Sequence, residues 1–345
     1  MTFKSIVVPR RGNADVLEIV ESELRTPAAG EARIKVLATP VVQDDVAMRV
    51  GNRPFLARPP FVPGYAVLGE VDAVGEGVTG VKPGDQVAAL TQFGGHTEMI
   101  YWPAGKLVTV PTGLDPAQAV VLILNYLVAY QVLHRVVQVK PRDKVLVVGA
   151  SGGVGTAFLD LCRLADVTAY GLASPRKHHI LRKYGAAPLD YHTQDWVNHL
   201  RQAESEGLDY VFNGMGEAYF ERGLALLRRG GVLVHYGGPQ SFARFLLLVA
   251  KLLVYNVLPN GKTIKGYGTH RGDVAQYKED WATLFKLLQE GKIAPHIQQT
   301  LPILEAAQAN RLLESGGVVG NIVLLSPELL LDQYADTAAR LDSSR

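Results

Sequence analysis

The sequence predicts an α/β protein that joins a β-rich domain to a doubly wound parallel sheet. Three observations support this prediction. Residues 1 to about 110 contain short β-rich runs separated by Gly, Pro and Asp, strand and helix patterns alternate from residue 144 onward, and a glycine-rich turn, "GASGGVG", follows the first strand of the alternating series. With 345 residues, the chain is long enough for two domains with substantial cores.

The β-rich part contains five strand-like runs, which read "SIVVP", "EARIKVLATPV", "AVLGEVDAVG", "DQVAAL" and "KLVTV" in chain order. The strand-like alternation of apolar and polar residues ends at Asp115 and Pro116, which precede a long apolar segment, "AQAVVLILNYLVAYQVLHRV". Asp is favoured at a helix N-cap and Pro at the first helical position. We therefore expect a long helix to begin here and to separate the two domains.

The second part alternates strands with helices. The predicted strands are "KVLVVGA", "VTAYGLA", "APLDY", "LDYVFNG" and "GVLVHYGG", and the helices between them are "GTAFLDLCRLA", "PRKHHILRKYG", "TQDWVNHLRQAE" and "EAYFERGLALLRR". Repeated βα alternation predicts a parallel sheet with helices on both faces. The remaining segments are "TIKGYG", the helices "DWATLFKLLQEG" and "LEAAQANRLLES", and the strand "VVGNIVLL".

The glycine turn predicts a dinucleotide site. Gly149, Gly152 and Gly155 lack a Cβ, so they permit a tight turn, close approach of a pyrophosphate, and close packing of helix on strand. The helix that begins near Gly153 offers unpaired N–H groups and the positive end of its dipole to an anion. The glycine spacing alone is weak evidence, but a preceding strand and a following helix are the context that the motif requires.

The residues after the second strand of the series predict NADP(H) rather than NAD(H). An NAD site usually has Asp or Glu about 20 residues beyond the glycines, and no carboxylate lies between Tyr170 and His179. Ser174, Lys177 and Tyr191 could instead bind a 2′-phosphate. The alternative is that Ser174 only caps a helix and Lys177 is solvated.

Composition and charge favour a cytoplasmic protein. Hydrophobic residues make up 48% of the chain, the net charge is +2, and no long basic block suggests nucleic-acid binding. One cysteine excludes a disulfide framework, and the N-terminus has no signal-peptide pattern. The apolar stretch 242–258 contains Arg244 and Lys251 on one helical face. It can be a packed helix, a pocket wall, a subunit contact or a membrane-surface helix, but not a transmembrane segment.

These stretches resemble the medium-chain dehydrogenase/reductase superfamily, in particular its zinc-independent quinone oxidoreductase-like branch. The matching stretches, in family order, are "FVPGYAVLGEVDAVGEGVTGVKPGDQVAAL", "NYLVAYQVL", "KVLVVGASGGVGTAFLDLCRLA", "ASPRKHHILRKYGAAPLDY", "LDYVFNGMGEAYFERGLALLRRGGVLVHYGG" and "VVGNIVLL". The resemblance implies a β-rich GroES-like catalytic domain at 1–115, completed by residues from about 295 to 345. It implies a Rossmann NADP(H)-binding domain at 116–294, and a homodimer formed through that domain.

The resemblance also implies where cofactor residues lie. Asn125 would sit near the nicotinamide, Asn213 and Gly237 would lie along the cofactor, and Gly266 and Asn321 would flank the nicotinamide side. The predicted cofactor-binding residues are therefore Asn125, Gly149, Ser151, Gly152, Gly153, Val154, Gly155, Ser174, Lys177, Tyr191, Asn213, Gly237, Gly266 and Asn321.

The chain departs from the family pattern where zinc-dependent members bind their metal. Those members place Cys near Val42 or Gln43, and His-Glu where this chain has Tyr65-Ala66. A catalytic zinc needs three protein ligands, so we expect no metal site. The zinc-free branch often has Asn-Pro ahead of an Asp, whereas this chain reads "PVVQDDV". The substrate-binding role of that Asn therefore does not transfer.

Without zinc, hydrogen bonds must polarise the substrate carbonyl, and a neutral tyrosine hydroxyl is a suitable donor. The candidates are Tyr65, Tyr126, Tyr130 and Tyr267. We predict Tyr65 and Tyr267 as the catalytic pair, although each can equally be a core or pocket-wall aromatic. The predicted function is NADPH-dependent reduction of quinones or α,β-unsaturated carbonyls. The alternatives are an alcohol or aldehyde oxidoreductase, and an NADPH-binding protein with a structural, regulatory or membrane-associated role.

Overall fold

The computed structural model describes residues 1–53, 57–192, 195–238, 241–257, 261–269 and 274–331. The chain forms two compact units. The first unit comprises Met1–Leu124 and Ile297–Arg345, and the second comprises Asn125–His296. The sequence had placed these divisions after residue 115 and after residue 294.

The N-terminal part of the first unit is mostly β-structure. Its elements are β1 (Thr2–Val7), β2 (Glu18–Glu23), β3 (Glu31–Val41), α1 (Gln43–Arg49), β4 (Ala66–Val74), β5 (Gln86–Leu90), β6 (Met99–Pro103), β7 (Val108–Thr109) and α2 (Pro116–Val121).

The second unit alternates strands and helices. Its elements are α3 (Leu127–Gln131), β8 (Lys144–Val148), α4 (Gly153–Leu164), β9 (Thr168–Ala173), α5 (His178–Lys183), β10 (Ala187–Asp190), α6 (Trp196–Ala203), β11 (Leu208–Asn213), α7 (Phe220–Leu226), β12 (Leu227–His235), α8 (Phe242–Val257), β13 (Thr263–Gly266) and α9 (Val274–Gln289). The chain then returns to the first unit with β14 (Ile297–Pro302), α10 (Ala306–Glu314) and β15 (Asn321–Leu325).

The sheets confirm the predicted fold class. In the second unit, six parallel strands follow the order β10-β9-β8-β11-β12-β13. The order reverses beside β8, which is where doubly wound sheets bind ligands, at the carboxyl ends of their strands. The first unit has a larger sheet in the order β14-β15-β3-β4-β5-β7, with β6 paired to β3, and a separate β1-β2 hairpin.

Burial explains why β8 is central to the second unit. Residues 145–148 are buried, and parallel sheets covered on both faces have such continuous apolar strands. Leu146 and Val148 pack on one face with residues of α6 and α7, among them Trp196 and Phe220. The rigid core therefore fixes the end of β8, from which the glycine turn starts.

The predicted long helix forms over Pro116–Val136 and contains two π-turns, Leu122–Tyr126 and Val132–Val136. The Asp115 carboxylate accepts a hydrogen bond from the Ala117 N–H, as expected for an N-cap. Among the described residues, this helix alone is long and apolar enough to cross a bilayer. Its apolar window is 83% buried inside the protein, and buried core helices pass the same test.

Four local features differ from the sequence prediction. The helix predicted to continue to residue 229 ends at Leu226, because Leu227 pairs with Leu208 and begins β12. The sequence patterns also missed β2, α1 and β14. Every β2 residue is exposed, so this strand has no apolar alternation for a sequence pattern to show.

Helix α8 has an unusual distribution of apolar side chains. Leu248, Leu252 and Tyr255 pack against the core, but Leu246, Leu253 and Val257 are exposed. The expected packed helix therefore forms, and it also presents an apolar outer face. Residue 258 of the predicted stretch lies outside the described residues.

Candidate functional site

The glycine turn after β8 has two glycines that the backbone requires. Gly149 has a φ of +80°, a conformation that side chains disfavour. A Cβ on Gly155 would lie 2.7 Å from the main chain of Ala150 and even closer to the Gly149 carbonyl. The turn can therefore bring α4 against β8 only with glycine at these two positions.

Gly152 differs from these two glycines, because the fold itself does not require it. A Cβ there would meet nothing nearer than the Gly149 carbonyl oxygen, at 3.6 Å. Gly152 is the N-cap of α4 and has no capping side chain. The first N–H groups of α4, at Gly153 and Val154, and the adjoining Ser151 could therefore bind an anion, and Gly152 leaves room for a close ligand. This geometry fits the pyrophosphate of a dinucleotide.

The end of β9 has the expected cationic and hydroxyl groups. Ser174 occupies an N-cap position with Pro175 after it, but its side chain makes no capping hydrogen bond. Ser174 therefore takes the N-cap position, but the alternative that its hydroxyl caps the helix is wrong. Lys177 is half-buried rather than fully solvated. Burial, and then the charge of Arg176, lower the pKa of the Lys177 ammonium below its ordinary value. An anion placed beside Lys177 would offset both effects.

Tyr191 follows the neighbouring strand. Asp190, at the end of β10, pairs with Ala173, at the end of β9, so Ser174 and Tyr191 leave the sheet at the same level. The Tyr191 ring packs on the His192 ring with 4.0 Å between centroids, and 39% of the residue is exposed. The three predicted phosphate-binding residues thus follow adjacent strand ends.

The carboxyl ends of β11, β12 and β13 provide three further predicted residues, Asn213, Gly237 and Gly266. The Asn213 amide donates to the Gly216 carbonyl at 2.8 Å and accepts from the Met215 N–H at 2.9 Å, so it shapes the loop after β11. A Cβ on Gly237 would lie 2.8 Å from the Gly214 carbonyl, which shows that these two loops touch. Gly266 ends β13. Asn321 begins β15 in the first unit and is buried.

Asn125 is buried within the first π-turn of the long helix. π-turns often occur at functional sites. The adjacent Tyr126 donates its hydroxyl proton to the buried Asp160 carboxylate at 2.8 Å, and burial raises the Tyr126 pKa well above its ordinary value. Asp160 also accepts from the Ala294 N–H. This arrangement anchors the helix on α4, which gives Tyr126 a structural role.

Tyr267 directly follows β13, and its N–H donates to the His235 carbonyl. Its hydroxyl lies 2.7 Å from Gln131 Oε1. Gln131 Nε2 in turn donates to Asp280 at 2.6 Å, and the Arg135 guanidinium binds the same carboxylate through Nε and Nη2. Sequence reasoning missed these three residues. Polar residues four positions apart on a mostly apolar helix, Gln131 and Arg135, were the available signal.

Tyr65 lies in the first unit, directly before β4, and is only 1% exposed. Its carbonyl accepts from the N–H groups of Thr91 and Gln92. The Asp45 carboxylate accepts from the Gly64 N–H and, through its other oxygen, from the Val42 N–H, each at 2.9 Å. The buried Asp45 carboxylate therefore joins the segment at Val42 to the segment at Gly64 and Tyr65. These are the two segments that correspond to zinc-ligand positions in the zinc-dependent members of the superfamily that the sequence resembles.

His96 lies beside this carboxylate. Its Nε2 is 3.2 Å from the Pro40 carbonyl and 3.8 Å from Asp45, while Nδ1 has no hydrogen-bond partner among the residues that the structure describes. Burial raises the Asp45 pKa, against the lowering effects of His96 and the two N–H donors. Within the described ranges, no group of three His, Cys, Asp or Glu side chains could hold a metal ion.

Two family models match the chain. Residues 28–112 match the alcohol dehydrogenase GroES-like domain, and residues 184–324 match the model described as zinc-binding dehydrogenase. The first match covers β3 to β7, and the second runs from the residue after α5 into β15, so neither match includes the glycine turn.

Individual proteins resemble the chain over most of its length. It is 31% identical over 313 residues to the synaptic vesicle membrane protein VAT-1 homolog of Homo sapiens, covering 87% of this chain and 80% of that protein. It is 29% identical over 328 residues to the 2-haloacrylate reductase of a Burkholderia species, covering 92% and 98%. A solved mycobacterial structure complexed with NADPH has a TM-score of 0.81 and 26% identity, covering 94% of this chain and 99% of that chain.

Proposed function

The chain belongs to the zinc-independent, quinone oxidoreductase-like branch of the medium-chain dehydrogenase/reductase superfamily, and we propose that it reduces quinones or α,β-unsaturated carbonyls with NADPH. The observation that most supports use of a dinucleotide cofactor is the turn from Gly149 to Gly155, whose glycines and helix N-terminus suit a pyrophosphate. The 2-haloacrylate reductase similarity supports an activated alkene as substrate.

NADP(H) is the proposed cofactor. The β9 strand ends at Ala173 without a carboxylate for a ribose 2′-OH, and Ser174, Lys177 and Tyr191 supply groups for a 2′-phosphate. The mycobacterial structure that resembles this chain is complexed with NADPH. NADPH supplies the hydride when it is bound. The remaining predicted residues, Asn125, Asn213, Gly237, Gly266 and Asn321, stay proposed contacts of the nicotinamide half.

We expect Lys177→Ala to weaken NADPH binding about tenfold and to leave NADH binding within about twofold. One hydrogen bond to a charged group contributes about 1.5–3 kcal/mol, and partial exposure reduces that value. Dissociation constants from nicotinamide fluorescence would measure the effect. Lys183→Ala, on the adjoining α5, is the control. Equal losses of affinity for NADPH and NADH would show that Lys177 does not bind the 2′-phosphate.

The protein's own contribution to the reaction is positioning and hydrogen bonding. We propose that Tyr65 donates to the substrate oxygen as negative charge develops there. Val42, Gln43 and Tyr65-Ala66 occupy the positions at which zinc-dependent relatives bind their metal, which supports reduction without a metal ion. Tyr267 was the second predicted donor, and its hydroxyl proton is directed to Gln131.

A substrate panel tests the proposed function. Purified protein should oxidise NADPH with a benzoquinone or a cyclic enone and not with an aliphatic aldehyde. Turnover of the aldehyde instead would favour the alcohol or aldehyde oxidoreductase. Tight NADPH binding without turnover of any compound would favour a structural or regulatory role.

A membrane-associated role is the second candidate, and one observation favours it. The outer face of α8 exposes Leu246, Leu247, Leu253, Val254 and Val257. α8 contains no acidic residue and two cations, of which Lys251 is paired with Glu221 at 2.9 Å, so Arg244 is the cation that the proposed contact with an anionic surface would use. The human relative is named as a synaptic vesicle membrane protein. A cytoplasmic location remains our proposal, and sedimentation with anionic vesicles, absent with neutral ones, would support membrane association.

We also propose a homodimer formed through the parallel-sheet unit at β13 and α8. β13 is an edge strand of the parallel sheet. The Tyr267 N–H points to β12, and main-chain polar groups alternate in direction along a strand. The N–H and carbonyl of Ile264 therefore point away from the sheet. Both of its polar groups are bound by the Asn256 carboxamide, at 2.8 and 2.9 Å. Asn256 thus occupies main-chain groups on the outer edge of β13 that a partner strand would otherwise bond. The exposed apolar face of α8 is therefore the larger part of the proposed contact.

Leu253→Glu should convert the proposed dimer to a monomer, because Leu253 is 65% exposed on α8 and a charge there would be desolvated at the contact. Light scattering at micromolar concentration would measure the mass. The control is Leu164→Glu, an exposed leucine at the end of α4. A monomeric unmodified protein would contradict the proposal.

A further inference from the structure

A groove lies between α6 and α7 in the parallel-sheet unit. Both helices pack on the same face of the sheet, because Trp196 of α6 and Phe220 of α7 belong to one core cluster with residues of β8. The volume of the groove is about 740 Å³, and small-molecule sites usually measure about 300–1,000 Å³. Trp196, Val197 and Ala225 form the apolar part of its lining.

The groove extends away from the edge of the sheet at which the cofactor is proposed to bind. In a βα unit, a helix begins near the carboxyl end of the preceding strand and runs back along the sheet. Tyr191 follows β10 and lines the groove at that edge. Arg201 and Ala225 each lie five residues after the first residue of their helix, which is about 7.5 Å along the helix axis. Ser174 and Lys177 are not among the described residues that line the groove, so it is a second site beside the proposed cofactor site.

The two carboxylates in the lining already have partners within the chain. Glu221 Oε1 accepts from Lys251 Nζ at 2.9 Å and from the Tyr255 hydroxyl at 3.2 Å. The Asp195 carboxylate caps α6, where it accepts from the Asn198 N–H at 3.3 Å. These contacts offset much of the negative charge in the groove.

The two arginines in the lining lack such partners. Arg201 on α6 and Arg222 on α7 are exposed, and neither forms an ion pair or a side-chain hydrogen bond with a residue that the structure describes. Burial, and then the charge of Arg201, lower the pKa of the Lys262 ammonium below its ordinary value. Positive charge therefore accumulates near Arg201, and an anion bound there would offset it.

We propose that the groove between α6 and α7 binds a small organic anion that has a flat apolar part. Arg201 and Arg222 bind the charged group, because a guanidinium fits both carboxylate and phosphate oxygens. The apolar part packs on Trp196, Val197 and Ala225. The site is separate from the glycine turn, so this inference does not depend on the proposed NADPH function.

Four probes test the two halves of the proposed ligand. 1-Naphthyl phosphate and 1-naphthoate have the same ring on two different anions, and the tighter of the two identifies the phosphate or the carboxylate as the preferred group. We expect a dissociation constant of about 0.1–1 mM for the tighter probe, by calorimetry without cofactor. 1-Naphthol lacks the charge and inorganic phosphate lacks the ring, so each should bind at least about tenfold more weakly.

Substitutions on each helix test the location. Arg201→Gln and Arg222→Gln should each weaken binding of the tighter naphthyl probe about fivefold, because each removes one charge-assisted contact. Arg182→Gln, at an exposed arginine of α5 outside the groove, is the matched control. Ala225→Glu places a carboxylate beside the arginines and should abolish binding, whereas Ala203→Glu, at the exposed end of α6, should not.

Cofactor competition separates the groove from the proposed cofactor site. Saturating NADPH should weaken naphthyl-probe binding by less than about threefold, because Tyr191 is shared and salt screens the charges. A greater loss, or a loss in Lys177→Ala that the arginine variants do not show, would place the probe at the cofactor site and overturn the inference. Binding weaker than about 10 mM for both naphthyl anions would also overturn it. A protein that binds the probe but not NADPH would contradict only the proposed function. Thermal unfolding would identify any variant that fails to fold, and the variants on the other helix then provide the test.

Discussion

Gly152→Ala is expected to lower NADPH affinity about 100-fold while the melting temperature stays unchanged. The folded chain tolerates the added methyl group, because its nearest neighbour would be the Gly149 carbonyl oxygen at 3.6 Å. A pyrophosphate drawn onto the first N–H groups of α4 would meet that methyl group directly. Loss of two hydrogen bonds to a charged group, at about 1.5 kcal/mol each, corresponds to about 100-fold.

Gly155→Ala is the contrasting variant. Its Cβ would be forced to within 2.7 Å of the Ala150 main chain, so this change should lower the melting temperature as well as the affinity. Calorimetric unfolding and NADPH titration on both variants would separate folding from binding. If Gly152→Ala bound NADPH as tightly as the unmodified protein, the cofactor would not approach this turn, and the proposed site would be wrong.

The fold of the second unit could be predicted because each local signal agreed with the next. Residues 145–148 before Gly149 are all apolar, the turn is glycine-rich, and a helix pattern follows at once. The end of α7 was less predictable. Leu227 continues an apolar helical pattern in sequence, and only its pairing with Leu208 makes it part of a strand.

The candidate site could be predicted only where it depends on local sequence. The glycine turn and the absence of a carboxylate after β9 are local features. The partner of Gln131 is not, since Asp280 lies 149 residues further along the chain. Asp45 and Gly64 are likewise joined by tertiary packing. A polar pattern can show that a buried group needs a partner, but it cannot say which distant residue supplies it.

Hydrogen bonds fix the main chain on both sides of the peptide that joins Gly64 to Tyr65. The Gly64 N–H is bound to Asp45, and the Tyr65 carbonyl accepts from Thr91 and Gln92. A donor that is already oriented needs no reorganisation as charge develops, and a site with little water strengthens its effect. Tyr267 directs its proton to Gln131, so we choose Tyr65, whose side chain is buried, as the member of the predicted pair to test.

Tyr65→Phe is therefore expected to lower kcat about 100- to 1,000-fold, the usual cost of removing one oxyanion donor, with NADPH affinity nearly constant. The substitution keeps the ring, so packing should survive. Steady-state kinetics with an enone and a quinone would measure the loss, which should be larger for the enone because quinones accept hydride more readily. Tyr101→Phe is the control, since its hydroxyl donates to the Arg25 carbonyl in the same unit. A loss below tenfold with every accepted substrate would make Tyr65 a pocket-wall residue and leave the substrate oxygen to another donor.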